Sequence, residues 1–494
     1  MSRKAMYPPS GQPAPSLAIS PAPHEPSDRL HGNMGVFQLI FTVLAFNAPL
    51  GIIAGVVPLS IGFGVGIGTP LLLIMVCALM AVYAVGYTVM SRRIPGAGAF
   101  YTFVTAGLGR PAGLSASFIA VVGYTLGMTG ILPFVGLAME SLITTFHGPD
   151  TPWWVWSLVV ACGAAVLGVL RVDFSARVLG ILLVLEVFAV LVFDAAVVVS
   201  GGDTGHLSAP SFNPQHLFAG GLAAGLAYAF IAFSGFESTA IFRDEVRDPE
   251  RTVPRATYLS VALLGILYSV GSWLLVQAYG EDNAAPAIAA GPASAFLGSM
   301  REYVGLVAFD ITTVLVVTSS FASVTAIHNV IARYLFNLGL DGILPRSLGT
   351  PHPRFGSPHR ASIVLSVVTV GFVLLAAASS RSATKIYATL TGTAGYFLLL
   401  LMCLSAVGIV AYLVRQWPTE VTVWHRIIAP VTAAAVMIAV AITMTSNIDL
   451  LTGSSSASAV AIAVLIGCMV TGSSVAVLLR SRRPDIYRRI GTRE

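Results

Sequence analysis

The chain has 494 residues and a formal net charge of +5, with 56% hydrophobic and only 10% charged residues. A mean hydropathy of +0.83 and many long apolar runs exclude an ordinary soluble protein and indicate a polytopic membrane protein. A pI near 9.1 is also found in nucleic-acid-binding proteins, but the positions of the basic residues fit a membrane protein better.

The first 34 residues are polar and rich in proline, and they lack the apolar segment of a secretory signal peptide. Such a composition cannot bury enough apolar surface to fold by itself. We therefore predict that residues 1–35 form a disordered cytoplasmic tail rather than a cleaved leader.

Twelve apolar runs follow, each with enough residues to cross ~30 Å of hydrocarbon. We number them spans 1 to 12: residues 36–62, 70–91, 113–143, 153–170, 176–200, 217–242, 256–279, 303–332, 359–379, 384–413, 426–446 and 456–479. With the amino terminus in the cytoplasm, 24 of the 27 Lys and Arg residues fall on the cytoplasmic side. The positive-inside rule thus predicts a multi-pass protein with both termini cytoplasmic, and we expect it in the plasma (inner) membrane.

Two of these spans contain residues that interrupt a helix. Span 1 has two prolines and two glycines within residues 49–58, and span 6 contains Ser234-Gly235. Because the two spans are five apart, they occupy corresponding positions in two halves of five spans. Paired interruptions of this kind indicate an inverted-repeat transporter with its site near the midplane. The predicted units are a first repeat at residues 36–200, a second at 217–413, two further spans at 426–480 and a basic tail at 481–494.

Two carboxyl side chains lie inside apolar runs, Glu237 in span 6 and Glu186 in span 5. A charged side chain at mid-membrane costs about 2.5–3.5 kcal/mol on insertion scales, so such residues are candidates for function by default. A carboxyl removed from water favours its neutral form and can load and release a proton. We predict Glu186 as a proton-coupling residue, with Glu237 second. For both, a structural carboxyl bonded to a neighbouring span is the alternative.

The four cysteines are far apart in sequence, and each sits within an apolar run without metal-ligand spacing. We therefore predict no disulfide, no metal centre and no cofactor. No Ser, His and Asp arrangement gathers at one membrane face, so a polytopic membrane enzyme is disfavoured.

Four motifs then occur in order along the chain. They are the interrupted span 1 ending in Val57-Pro58; residues 95–101, PGAGAFY; Gly235-Phe236-Glu237 followed by residues 245–249, EVRDP, and 253–256, VPRA; and Ala332-Arg333 running to residues 341–345, DGILP. Together they resemble the amino acid, polyamine and organocation (APC) transporter superfamily. The motifs cover residues 36 to about 350, and the twelve-span count covers the rest. We also expect a short amphipathic helix within residues 332–345.

The resemblance implies a LeuT-like fold, with a five-plus-five inverted repeat, broken spans 1 and 6, and alternating access around a substrate that carries an α-amino group. In such a site the substrate carboxylate would meet amides at the span 1 break, here Ile53, Ala54, Gly55 and Val56. The family's common Gly-Ser-Gly is replaced here by Ile53-Ala54-Gly55, so Gly51 or Ile52 could take part instead. The ammonium would meet carbonyls freed at the span 6 break, around Ile231, Ala232 and Ser234, beside Gly235. Ile231 occupies a position where relatives with large cationic or aromatic substrates often carry an aromatic gate, which favours a neutral side chain.

The coupling ion is left open between two choices. A proton would use Glu186, whereas sodium would use the hydroxyls of Ser319 and Ser320 in span 8 together with span 1 carbonyls. The same serines would also suit close helix packing.

The function predicted from the sequence is secondary active transport, the import of an amino acid with protons. An exchanger, a polyamine carrier or a sodium symporter of the same fold is the alternative. A nutrient sensor is a further class, but the short tail of residues 480–494 offers no signalling domain, and its six arginines suit anionic lipid. The expected partners are thus an amino acid, H+ and membrane lipid, without nucleic acid.

Overall fold

A computed structural model describes residues 34–94, 99–170, 176–241, 243, 246–418 and 420–491. Within these ranges the regular structure is helical, and the only β-type pairing is an isolated parallel bridge between Met34 and Val246. The prediction of an all-α protein is confirmed for this part of the chain. The predicted tail at residues 1–33, the turn at 95–98 and Glu245 lie outside the described residues.

Eleven helices in the described ranges are long and apolar enough to cross a membrane. They are Val36–Phe63, Gly66–Arg93, Arg110–Thr145, Trp153–Leu170, Gly180–Ser200, Pro249–Tyr279, Leu306–Leu340, His359–Ala378, Ala383–Gln416, Trp424–Ser446 and Ser455–Arg482. Each corresponds to a predicted span, in order, with span 6 left out. The chain is therefore a multi-pass membrane protein.

Span 6 consists of two short helices, Leu222–Ala232 and Ser238–Ile241. A helix of 11 residues is only about 16 Å long, roughly half the thickness of the hydrocarbon layer. The interruption predicted at Ser234-Gly235 is thus present, whereas the count of twelve spans and the exact limits of the two repeats stay predictions.

Three helices of ten or more residues lie between the described spans. Ala99–Leu108 precedes span 3, and Glu281–Ala290 and Pro292–Tyr303 fill the connection between spans 7 and 8, where no helix was predicted. Residues 332–340 are helical as expected and the helix ends just before Gly342, but they continue span 8 without a break instead of forming a separate helix. No proline or glycine interrupts residues 332–338, so the helix has no reason to stop earlier.

The burial of the spans shows which of them surround the centre. In span 1, 75% of the most apolar stretch is buried inside the protein, against 22% in span 12. Span 10 packs against spans 3 and 6, and span 1 packs against spans 5, 7 and 8. Spans 1, 3, 6, 8 and 10 therefore meet at the centre, while span 12 lies mostly against lipid.

Candidate functional site: two helix breaks and two buried carboxyls

The break in span 6 is a tight turn built around a glycine. The helix Leu222–Ala232 ends as the amide of Ser234 turns back to the carbonyl of Ile231, 3.1 Å away. Gly235 has a φ of +103°, a conformation that side chains other than glycine rarely adopt. The chain becomes helical again at Ser238, whose amide donates to the carbonyl of Gly235 at 3.0 Å.

The Glu237 carboxyl holds this turn. Its Oε2 accepts from the amide of Gly235 at 2.7 Å, and its Oε1 accepts from the hydroxyl of Tyr124 in span 3 at 2.5 Å. The backbone carbonyl of Glu237 accepts from Tyr87 in span 2 at 2.8 Å. Because the side chain is only 3% exposed and each oxygen has a donor, the carboxyl fixes the break and ties it to two other spans.

Span 1 is interrupted at Ala48, earlier than the residues that the resemblance assigns to the substrate. The first helix ends at Asn47, Ala48 is left-handed with a φ of 51°, and helix resumes at Pro49. Residues Ile52–Val56 then form a π-helical turn, closed by a hydrogen bond from Val57 to Ile52. Proline explains why the helix restarts at residue 49, since it fits the first position of a helix. π-Helical turns are frequently found at functional sites.

Asn47 joins the two breaks to each other. Its Nδ2 donates to the carbonyl of Ala232 at 2.8 Å and to that of Ser234 at 2.6 Å. Its Oδ1 accepts from the hydroxyl of Tyr268 in span 7 at 2.5 Å. Asn47 is not among the residues predicted from the sequence. A polar amide directly before the Ala-Pro interruption of an apolar run was the available signal, because a buried amide needs several partners.

Glu186 lies against the restart of span 1. Its carboxyl is 5% exposed and faces the Ser319 hydroxyl of span 8 and the Leu50 backbone amide. Within the described residues, neither its Oε2 nor the Oγ of Ser319 has a partner at hydrogen-bond geometry. Ser320 lies beside span 1, since its Oγ would be 3.7 Å from a Cβ placed on Gly51. The structure therefore brings Glu186 and Ser319 together, whereas Glu237 lies apart at the break of span 6.

Gly55, one of the predicted substrate residues of span 1, faces two aromatic side chains. A Cβ on Gly55 would lie 2.5 Å from the Tyr387 hydroxyl and 3.1 Å from the Phe134 ring, so only glycine fits at this position. The two rings are stacked, with centroids 5.3 Å apart. Ile53, Ala54 and Val56, the other residues in this assignment, are buried alongside.

The predicted ammonium acceptors of span 6 already have partners in the protein. The carbonyls of Ala232 and Ser234 accept from Asn47, and that of Ile231 accepts from the Ser234 hydroxyl at 2.7 Å. The Ile231 side chain points towards span 3, where its Cδ1 would be 3.7 Å from a Cβ placed on Gly127. A carbonyl oxygen has two lone pairs, so the carbonyls of Ala232 and Ser234 each keep capacity for a second donor, whereas that of Ile231 already accepts from both the amide and the hydroxyl of Ser234.

Among the described residues, no three His, Cys, Asp or Glu side chains gather as a metal site would require. The four cysteines are unpaired, and of the two predicted sodium hydroxyls Ser319 faces Glu186 while Ser320 lies beside Gly51. The site therefore offers three kinds of chemical group. Glu186 has a carboxyl oxygen without a partner among the described residues, Glu237 has a carboxyl that holds the turn of span 6, and the two helix breaks expose backbone groups.

Comparison with known proteins supports this description. A family model described as amino acid permease matches residues 35–472, which confirms the resemblance seen in the motifs. A branched-chain amino acid permease of Lactococcus lactis subsp. cremoris is 27% identical over 318 residues, covering 60% of this chain and 66% of that protein. A low-affinity putrescine importer of Escherichia coli is 22% identical over 303 residues, covering 60% of this chain and 63% of the importer.

A branched-chain amino acid permease of Bacillus subtilis is 24% identical over 360 residues, covering 67% of this chain and 72% of that permease. The chain matches slightly less than two thirds of the length of the Lactococcus and Escherichia relatives.

Proposed function

The chain belongs to the amino acid permease family, and from that premise we propose that it is a secondary active transporter that imports an amino acid across the plasma membrane together with protons. Alternating access would move spans 1 and 6 relative to their neighbours. The proposal depends mainly on Glu186, whose Oε2 has no hydrogen-bond partner among the described residues and lies where span 1 restarts.

The case for proton coupling rests on the surroundings of Glu186. A carboxyl with one oxygen lacking a donor is costly when charged and much less costly when protonated. A proton on Oε2 would allow it to donate to Ser319, which it faces. Loading and releasing that proton would therefore change a contact between spans 5 and 8 beside the break of span 1.

A chain of contacts offers a route from Glu186 to the substrate side. The Tyr268 side chain is close enough to Glu186 to interact with it electrostatically, and its hydroxyl donates to Asn47. Asn47 in turn donates to Ala232 and Ser234, the carbonyls proposed to accept the substrate ammonium. We propose Glu186 as the coupling residue and Glu237 as the second candidate, whose hydrogen bonds also support a positioning role at the span 6 break.

For the substrate we propose the amides around Ile53, Ala54, Gly55 and Val56 as the carboxylate site and the turn from Ile231 to Gly235 as the ammonium site. Gly51, the alternative left open by the sequence, remains part of this proposal, because the helix restarts at Pro49 and its first amides have no carbonyl one turn earlier to pair with. The neighbouring groups, Phe134, Tyr387 and Gly127, are aromatic or without a side chain. We therefore propose a neutral, apolar amino acid.

A polyamine is the second candidate, because one relative is named as a putrescine importer. A diamine would need acidic partners, and both oxygens of Glu237 already accept hydrogen bonds. Sodium in place of the proton is also tested, since a carboxylate and serine hydroxyls suit a hard cation.

The test is uptake into proteoliposomes that contain the purified full-length chain. Radiolabelled leucine, alanine, lysine and putrescine are offered in turn, each with an imposed proton gradient, a sodium gradient, or neither. We expect uptake of a neutral amino acid with an inward proton gradient and no stimulation by sodium.

Three other results would each contradict one part of the proposal. Putrescine uptake without amino acid uptake would overturn the substrate class. Stimulation by sodium alone would overturn the coupling ion. Uptake only into vesicles preloaded with unlabelled amino acid would identify an exchanger.

A further inference from the structure

The end of span 12 and the turn after span 8 enclose a cavity that none of the transport steps uses. It has a volume of about 750 Å³ and opens at the surface on the side of the chain's carboxy terminus. One wall is residues 342–346, and the other is residues 483–489, which contain the short helix Pro484–Arg489. Ligand pockets in proteins have volumes of roughly 300–1,000 Å³, so this one can hold a small group.

The two walls are held together by side-chain packing and by contacts of Arg110. Leu338, Ala476 and Ile490 form a buried cluster with Leu114 at the start of span 3. The guanidinium of Arg110 donates to the carbonyl of Arg488 at 3.1 Å and lies 5.1 Å from the centre of the Tyr487 ring. The cavity is therefore a fixed part of the fold, built where spans 3, 8 and 12 meet.

The charges around the cavity are predominantly positive. Arg346, Arg483 and Arg489 line it, and Asp485 is the only acidic residue in its lining. In the part of the chain that the structure describes, the ion pairs are Arg93 with Glu420 and Arg251 with Asp248, so none involves the three lining arginines. Three guanidinium groups around one cavity, with a single carboxylate, are suited to a phosphate, which arginine binds with two parallel hydrogen bonds.

The surface next to the cavity is apolar and exposed. Val477 and Leu478, near the end of span 12, are 60% and 48% exposed, and Leu340, in the extension of span 8, is 55% exposed. A molecule with its phosphate among the arginines could therefore lay acyl chains against these residues. Basic pockets between membrane helices on the cytoplasmic side are known to bind phosphorylated lipid head groups.

We propose that this cavity is a phosphate-binding site formed by Arg346, Arg483 and Arg489. An anionic phospholipid and free inorganic phosphate share the chemistry that it recognises. The site is separate from the substrate and coupling groups, so its test does not depend on the proposed function.

The experiment compares two triple variants of the full-length protein in detergent. The pocket variant carries Arg346→Gln, Arg483→Gln and Arg489→Gln. The matched control carries Arg360→Gln, Arg480→Gln and Arg482→Gln, which remove the same charge from exposed arginines that do not line the cavity. Native mass spectrometry measures the binding of phosphatidylglycerol and phosphatidylcholine, and a thermal unfolding assay measures stabilisation by inorganic phosphate. Circular dichroism confirms that each variant is folded.

We expect the pocket variant to bind phosphatidylglycerol roughly a hundredfold more weakly, at about fivefold per arginine, and the control variant to bind it nearly as the wild type does. Phosphatidylcholine, whose head group is neutral overall, should bind weakly to all three proteins. If inorganic phosphate stabilises the wild type and not the pocket variant while lipid binding is equal in both, the site is confirmed with free phosphate as its ligand. Equal losses in both variants, or no loss in either assay, would overturn the proposal.

Discussion

Replacing Asn47 with leucine should destabilise the protein more than any other single loss of a side-chain hydrogen bond at the two breaks. The change removes two donors to span 6 and one acceptor for Tyr268, and it leaves a hydroxyl at a residue that is 0% exposed without that partner. Hydrogen bonds between membrane helices average about 0.6 kcal/mol, and unsatisfied buried groups cost about 1–3 kcal/mol. Three bonds therefore predict a loss of roughly 2–5 kcal/mol.

Tyr268→Phe is the matched control, because it removes only one of the three hydrogen bonds and leaves the ring in place. We expect it to cost about 1 kcal/mol. Equilibrium unfolding in mixed micelles of increasing sodium dodecyl sulfate measures both variants and the double variant. The double variant should lose no more than Asn47→Leu alone, since the bond to Tyr268 is already absent and the unpaired hydroxyl is removed.

Two results in the same unfolding assay would contradict this prediction. If Asn47→Leu lost no more stability than Tyr268→Phe, the two bonds to Ala232 and Ser234 would contribute nothing to holding the breaks together. Strictly additive losses in the double variant would likewise show that Asn47 and Tyr268 act independently.

The other predictions concern coupling and backbone geometry. Glu186→Gln should abolish the stimulation of uptake by a proton gradient, whereas Asp194→Asn, which alters another buried carboxyl of span 5, should keep it; equal loss in both would remove Glu186 from its proposed role. Gly55→Ala should reduce uptake at least tenfold because its Cβ would collide with Tyr387, while Gly371→Ala, which meets nothing within 4 Å, should be silent; normal uptake by the Gly55 variant would contradict the contact. Gly235→Ala should lower the free energy of unfolding by about 1–3 kcal/mol because of its φ of +103°, and an unchanged midpoint would argue against that turn.

Most of the helical architecture could be predicted because the bilayer imposes a simple rule. Apolar runs of about 20 residues must become helices whose backbone groups pair internally. The end of span 8 was placed at residue 332 by apolar length, whereas the helix continues through a more polar extension to Leu340. Helix length outside the membrane is set by caps and packing, which hydropathy does not report.

The candidate site was predictable in its types of residue and less so in its geometry. Glu186, Ser319 and Glu237 stand out because polar groups in apolar runs are costly. The interruption of span 1 was expected near Ile53 and lies at Ala48, because proline at residue 49 fits the start of a helix as well as the end of one. Asp194, towards the end of span 5, is only 7% exposed, a burial that its position in the sequence does not indicate. Tertiary contacts are not visible in a single sequence.

The arrangement of Asn47 gives a physical reason for linkage between the coupling group and the substrate. The Asn47 amide can satisfy Ala232, Ser234 and Tyr268 together only while the two breaks keep their present distance. A change in the charge of Glu186 alters its interaction with Tyr268, at one end of this chain of contacts. A substrate ammonium at the proposed site would alter the interactions of the span 6 carbonyls, at the other end. By linkage, any effect of protonation on substrate affinity must equal the effect of substrate on proton affinity. Transport that couples the two therefore requires no direct contact between substrate and proton, only a shared preference for one arrangement of the breaks.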